Sequence, residues 1–342
     1  MANKSLFASV KTPAQKKVNP KGFAEVKNEA GGASFSFPDK LALAQYAVTG
    51  TFNNVFYATA EDQLAKVQAL ALKVDSRFIA KLAVYSRESA FMKDMPAFLL
   101  AVLHSRRENE LLSQVFNKVI TNFKMLSNFV QIVRSGVTGR KSFGTATKNL
   151  IKHWLTNKTP LQIFNGSIGL SNPSVADIIK MVHPSVNPGD SHDAMYAYIA
   201  ETRGYQAKMD KMPDDVKLFE ALKRGESVKS PSIPFRALTN VKLSDAQWMD
   251  IARNMPFNTL RMNLNMLSRH NIFKNPEWLK EIAAKLAEAD GNVFPYQLFT
   301  TFQNTTDLPM EINLALQDAA EKATANVPVF GEGDVMVFID VS

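Results

Sequence analysis

The chain has 342 residues, with 40 Lys+Arg against 32 Asp+Glu for a net charge of +8, and it contains no cysteine. The missing thiols exclude disulfide scaffolds, cysteine nucleophiles, Cys-ligated zinc and iron–sulfur clusters. At 46% hydrophobic residues, and with no run near the ~18 apolar residues of a membrane span, a soluble chain with a packed core and no membrane partner is expected. The positive charge is uneven: residues 1–150 hold 21 Lys+Arg and 10 Asp+Glu, whereas residues 151–342 hold 19 and 22. Such asymmetry predicts a polyanionic partner, nucleic acid before an acidic membrane surface.

In chain order, residues 1–33 are rich in Lys, Asn, Ala and Gly, lack hydrophobic periodicity, and predict a flexible basic arm. They carry no apolar segment of the secretory kind, so a cytoplasmic location is expected. From Asp39 onward, amphipathic stretches follow one another between Pro, Gly, Asn and Ser punctuation, and residues 34–330 read as all-α. The apolar stripes are Phe78/Ile79/Leu82/Ala83, Phe123/Leu126/Val130/Val133, Val175/Ile178/Ile179/Val182, Val216/Phe219/Leu222, Trp248/Ile251/Ala252/Met255, Leu260/Leu264/Leu267 and Leu279/Ile282/Leu286. Ser174 with Asp177 three residues on marks a helix start, and Gly136 marks a helix end. Helices without strand partners bury their stripes on one another, in a bundle or in a stack of helix pairs. Residues 334–342, DVMVFIDVS, break the pattern and predict a buried strand with a polar tip.

Few constellations carry chemistry. The five histidines, His104, His153, His183, His192 and His270, show no i, i+4 pair and no metal-binding spacing. A P-loop would need glycine at 135 and 140, where the chain has Ser135 and Arg140. The segment does offer a flexible glycine turn with Arg134, Arg140 and Lys141, followed by Lys148 and Lys152. These cations suit phosphate contacts, or they form a solvated loop and helix face. Residues 73–107 interleave Lys73, Arg77, Lys81, Arg87, Lys93, Arg106 and Arg107 with Phe78, Tyr85 and Phe91, a mixture that suits single-stranded nucleic acid. Phe78 falls on an apolar stripe and is expected in the core. Asp340 and Ser342 make the opening of a D-x-S-x-S arrangement for a hard divalent cation.

Several words together resemble the TROVE module of the Ro autoantigen family, including its bacterial Ro-sixty-related members. They are ALAQYAVTGTFNNVFY from Ala42, SRFIAKLAVYSRESAFMKDMPAFLLAVL at 76–103, FVQIVRSGVTGRKSFGTATKNLIKHWL at 129–155, ADIIKMVHP at 176–184, RNMPFNTLRMNLNMLSRHNIF at 253–273, VFPYQLF at 293–299 and the terminal VFIDVS. The resemblance covers about residues 40–342. It implies a ring of HEAT-like helix pairs over 34–330, followed at 334–342 by the first strand of a von Willebrand A domain. It also implies a non-catalytic, monomeric ribonucleoprotein scaffold that binds small noncoding Y RNA on an outer basic surface and single-stranded 3′ ends of misfolded RNA in the ring, with an exoribonuclease as partner. His183 matches a position that contributes to Y RNA binding. Gly166 and Leu170 stand where the family has basic residues. Asp340 and Ser342 match the first two ligands of a Mg²⁺ site that the rest of that domain completes. The rival reading is a helical-repeat scaffold whose basic face meets an acidic protein.

Overall fold

The computed structural model describes residues 25–27, 31, 33–35, 37–55, 58–202, 204–226, 229–239, 241–289, 293–305 and 307–327. The chain divides into two compact units, Met1–Pro213 and Asp214–Ser342. Eighteen α-helices are present among the described residues, with one short antiparallel hairpin, β1 (Glu25–Lys27) and β2 (Ala33–Phe35), inside and just after the expected arm. The protein is mostly α-helical. Residues 334–342, with Asp340 and Ser342, lie outside the described residues.

The first unit holds α1 (Asp39–Thr49), α2 (Ala60–Lys73), α3 (Ser76–Glu88), α4 (Asp94–Ser105), α5 (Asn109–Val119), α6 (Phe123–Ser135), α7 (Gly144–Thr156), α8 (Pro160–Ser167), α9 (Val175–Val182) and α10 (Ser191–Ile199). Six of them, α2, α3, α6, α8, α9 and α10, start on side-chain oxygens that accept the free N–H groups of the first turn. Thr59 accepts from Asp62 N, Asp75 from Phe78 N and Asn122 from Met125 N. Thr159 with Gln162, and Ser174 with Asp177, form complete capping boxes. Gly136 ends α6 at φ 77°, a left-handed conformation that glycine adopts without strain.

The packing is layered. Successive odd-numbered helices touch one another from α1 to α9, and the even-numbered ones from α4 to α10, so that two layers run side by side. The helix α4 is flanked by α3, α5 and α6 and buries every residue from Met95 to His104. A helix apolar on all sides has no solvent face to offer, and α4 is accordingly central to this unit. Phe116 packs edge-on against Phe129 at 5.4 Å, and Phe52 against Phe98 at the same distance.

The second unit holds α11 (Asp214–Lys223), α12 (Phe235–Leu238), α13 (Asp245–Asn254), α14 (Phe257–Met262), α15 (Leu264–Arg269), α16 (Pro276–Ala287), α17 (Pro295–Asn304) and α18 (Met310–Ala323) around one core of Trp248, Leu260, Leu267, Ile282 and Leu316. The stripe Leu260/Leu264/Leu267 is buried as expected, but not on one helix. Asn263 separates α14 from α15 because its backbone N–H closes onto Leu260 O and its side-chain amide donates to Thr259 O at 2.7 Å, competing with the regular helical pattern. Among the described residues no helix is long and apolar enough to cross a membrane.

Candidate nucleic-acid interface

Residues 136–143 carry the chain from α6 in one layer to α7 in the other. The composition predicts a flexible turn here, and the structure ties it down through its carbonyl groups. Gln68 Nε2 of α2 donates to Val137 O, Ser105 Oγ of α4 donates to Thr138 O, and His104 Nε2 meets Ser142 O at 3.0 Å. The Ser142 carbonyl can only accept, so Nε2 carries the imidazole proton and Nδ1 accepts from Thr147 Oγ1 at 2.8 Å. His104 is fully buried, which holds its pKa below the usual histidine value; the charge of Arg140 lowers it further, against the opposing pull of the Ser142 carbonyl. The residue is therefore a neutral tether between α4 and the loop.

Two glycines give the basic side chains of this loop their seats. A Cβ at Gly136 would come within 2.6 Å of the Lys141 aliphatic stem, and one at Gly144, at φ +64°, would come within 2.6 Å of the Arg140 guanidinium. Lys141 is exposed and its stem lies against Gly136 at the end of α6, and Arg140 is half-buried beside the start of α7. Arg134, in the last turn of α6, is exposed, and its charge is the smallest contribution to holding the Asp177 carboxyl below its usual pKa, after the hydrogen bonds with Ser174 and the charge of Lys180.

Lys148 and Lys152 stand four residues apart on α7, which puts them on one face about 6 Å apart along the axis. Lys148 is exposed and Lys152 half-buried. His183 is the exposed C-cap of α9, in the left-handed region at φ 50°, and α9 packs on both α6 and α7. The six candidate RNA-contact residues thus belong to one neighbouring set of elements. Arg134 lies toward the N-terminal end of α9 and His183 at the other, roughly 9 Å along the helix from Asp177.

Residues 111–176 contain eight Lys+Arg (Lys118, Lys124, Arg134, Arg140, Lys141, Lys148, Lys152 and Lys158) and no Asp or Glu at all. This acid-free stretch spans α5 to the start of α9. Lys158 lies over the Trp154 ring at 4.6 Å, and Trp154 Nε1 donates to Ile120 O at 2.7 Å. Gly166 packs directly on Phe123, where even a Cβ would fall 2.0 Å from the ring, so this packing leaves no room for a basic side chain at that position.

The mixed basic and aromatic stretch at 73–107 sorts into two groups. Arg106 donates to Val74 O and Ala71 O, closing the end of α2, while Arg87 donates to Met92 O and Thr121 Oγ1, and Lys73 pairs with Asp39 at 3.1 Å. These are structural cations. Arg77, Lys81 and Tyr85, by contrast, recur every four residues along α3 and are all exposed, and Phe91 is 71% exposed just beyond it. Phe78 is only half-buried, with Lys40 Nζ 5.3 Å from its ring.

No protein-family model and no curated protein matches this chain. Among the described residues no group of three or more His, Asp or Glu is placed to hold a metal ion. The residues that the resemblance assigns to Mg²⁺, Asp340 and Ser342, are outside that set.

Proposed function

We propose that this protein is a non-catalytic RNA-binding scaffold whose first unit docks structured RNA through the α6–α7 loop and the lysine face of α7. The observation that carries the reading is the acid-free stretch 111–176, in which Arg134 ends α6, Lys141 sits in a loop fixed by Gln68, Ser105 and His104, and Lys148 and Lys152 follow on α7. A phosphate backbone releases counterions from each cation it meets, so a stretch that carries eight cations and no carboxylate of its own suits it. Arg77, Lys81, Tyr85 and Phe91 supply cations with exposed rings, the chemistry on which single strands stack.

The layered stacking of α1 to α10 supports a HEAT-like repeat architecture. Closure into a ring, with single-stranded 3′ ends of misfolded RNA in its hole, rests on the resemblance to the TROVE module. So do Y-like RNA as the ligand, an exoribonuclease as partner, and completion of the Mg²⁺ site by a von Willebrand A domain. The closed position at Gly166 argues for a ligand surface shifted toward Lys152 and Lys158 relative to the family pattern.

The test is fluorescence anisotropy with a labelled RNA hairpin bearing a single-stranded 3′ tail, the blunt hairpin and the matching DNA, across a salt series. Tight, salt-sensitive binding that favours the tailed RNA is expected. Binding that ignores tail and sugar would reduce the surface to generic polyanion attraction and move an acidic protein partner to the front.

A further inference from the structure

A second feature of the first unit lies beside the basic surface. The last turn of α7, the 183–190 loop and the first turn of α10 border an open hollow of about 320 Å³ lined by Thr156, Ser185, Val186, Asn187, Asp190 and His192. That volume is at the lower end of small-molecule sites. Five of the six lining side chains are polar, so the space is made for hydrogen bonds rather than for an apolar group.

The wall is held in a fixed arrangement. His192 Nε2 donates to Lys158 O at 2.8 Å, which orients the imidazole. Asp190 Oδ1 accepts from Asp193 N at 2.8 Å as the N-cap of α10, and its second oxygen receives no hydrogen bond among the described residues. Beside it Tyr196 is 6% exposed and its hydroxyl has no hydrogen-bond partner among the described residues. Burial, and then the negative charge of Asp190, push that hydroxyl's pKa up to about 12. The second Asp190 oxygen leaves this wall with an acceptor that a ligand's donor can fill.

Lys148, Lys152 and Thr156 fall at successive four-residue steps of α7. They form one line along the helix, about 6 Å per step, whose third member lines the cavity. A nucleic-acid strand with its phosphates on the two lysines would bring a base to the rim. An anionic ligand is disfavoured by Asp190. Among the bases, guanine alone places two adjacent N–H donors, N1–H and the 2-amino group, on its Watson–Crick edge, matching one carboxylate. Adenine would oppose its N1 lone pair to Asp190, and uracil offers a single N–H between two carbonyls.

We propose that this cavity is a specificity pocket for an unpaired guanine, with Asp190 accepting from its Watson–Crick edge and Lys148 and Lys152 holding the adjoining phosphates. The base must be unpaired, because pairing occupies the same edge. The proposal rests on the RNA-binding reading and names what that surface selects.

The experiment uses the full chain and three labelled hairpins that differ only at one unpaired nucleotide, guanosine, inosine or adenosine, together with saturation-transfer NMR of guanosine and adenosine 5′-monophosphate. One well-matched bidentate base contact predicts about tenfold tighter binding of the guanosine hairpin than of the adenosine one, with inosine between because it keeps N1–H and lacks the amino group. Asp190→Asn retains a good N-cap, which circular dichroism checks, and should collapse the guanosine-to-adenosine ratio to near one. Equal, salt-sensitive affinity for all three hairpins in the wild type would overturn the pocket and leave the RNA surface standing. Saturation transfer to guanosine monophosphate that Asp190→Asn abolishes, without binding of any hairpin, would uphold the pocket and overturn the RNA reading. Binding of neither would overturn both.

Discussion

Replacing Lys148 and Lys152 together by alanine tests the electrostatic reasoning most directly. Both sit on α7 with exposed or half-exposed side chains, and alanine is the best helix former, so the helix should survive the change. Of the four cations on α6, the loop and α7, Arg134, Lys141 and Lys148 are exposed and Lys152 is half-buried. Each phosphate contact contributes about 0.7 to the slope of log K against log salt on single strands and about 0.9 on duplex. Losing two should therefore flatten the slope by about 1.4–1.8, and extrapolated from 1 M salt the same counterion term weakens binding roughly 15- to 30-fold at 0.15 M. Anisotropy titrations of wild type and double variant at four or more salt concentrations measure both quantities. A slope unchanged within error would refute phosphate contact by these lysines, even if affinity fell. An affinity within twofold of wild type would remove the α7 face from the interface.

Three further outcomes follow from the loop and the core. His104 resists protonation in the folded state, so the unfolded chain takes up protons more readily; stability should be full above the ordinary histidine pKa near ~6.5 and decline as pH falls through it. Urea midpoints between pH 7.5 and 5.5 measure this, and His104→Gln should remove that limb of the pH profile; an unchanged profile would contradict the neutral tether. Gly144→Ala forces a left-handed alanine against Arg140, at about 1–2 kcal/mol in stability with weaker RNA binding, and a variant as stable as wild type would show that the seat tolerates a methyl group. Leu99→Ala in α4, at a fully buried position, should cost about 3–5 kcal/mol by thermal or chemical denaturation, and a loss below 1 kcal/mol would show that α4 is not the centre of its unit.

Local signals made much of the fold legible. Ser174 with Asp177, and Gly136 after an apolar stripe, place both ends of real helices because capping is settled within a few residues. The break at Asn263 escaped the same reasoning, since the apolar spacing of Leu260, Leu264 and Leu267 continues across it while a side-chain amide ends the helix. Arg134, Lys141 and Lys148 stand exposed, whereas Arg140 and Lys152 of the same basic set are half-buried. What ties their loop was illegible, because Gln68 and Val137 are 69 residues apart and no local pattern announces such a pair. Arg106 and Arg87 look like their exposed neighbours in the sequence and differ only in having backbone carbonyls within reach. The cavity combines the end of α7 with the start of α10, and Asp190 reads locally as nothing more than an N-cap.

The tied loop also bears on the thermodynamics of association. A basic loop that is disordered before binding gives up conformational freedom when it closes on a ligand, at about 1–2 kcal/mol for each backbone residue fixed. Here Val137, Thr138 and Ser142 are already bonded to α2 and α4, so that entropy has been lost during folding. Encounter with a polyanion then needs little rearrangement of the protein, and association is expected to run near the electrostatically steered limit. The lifetime of the complex, rather than the speed of its formation, is where different ligands would be told apart.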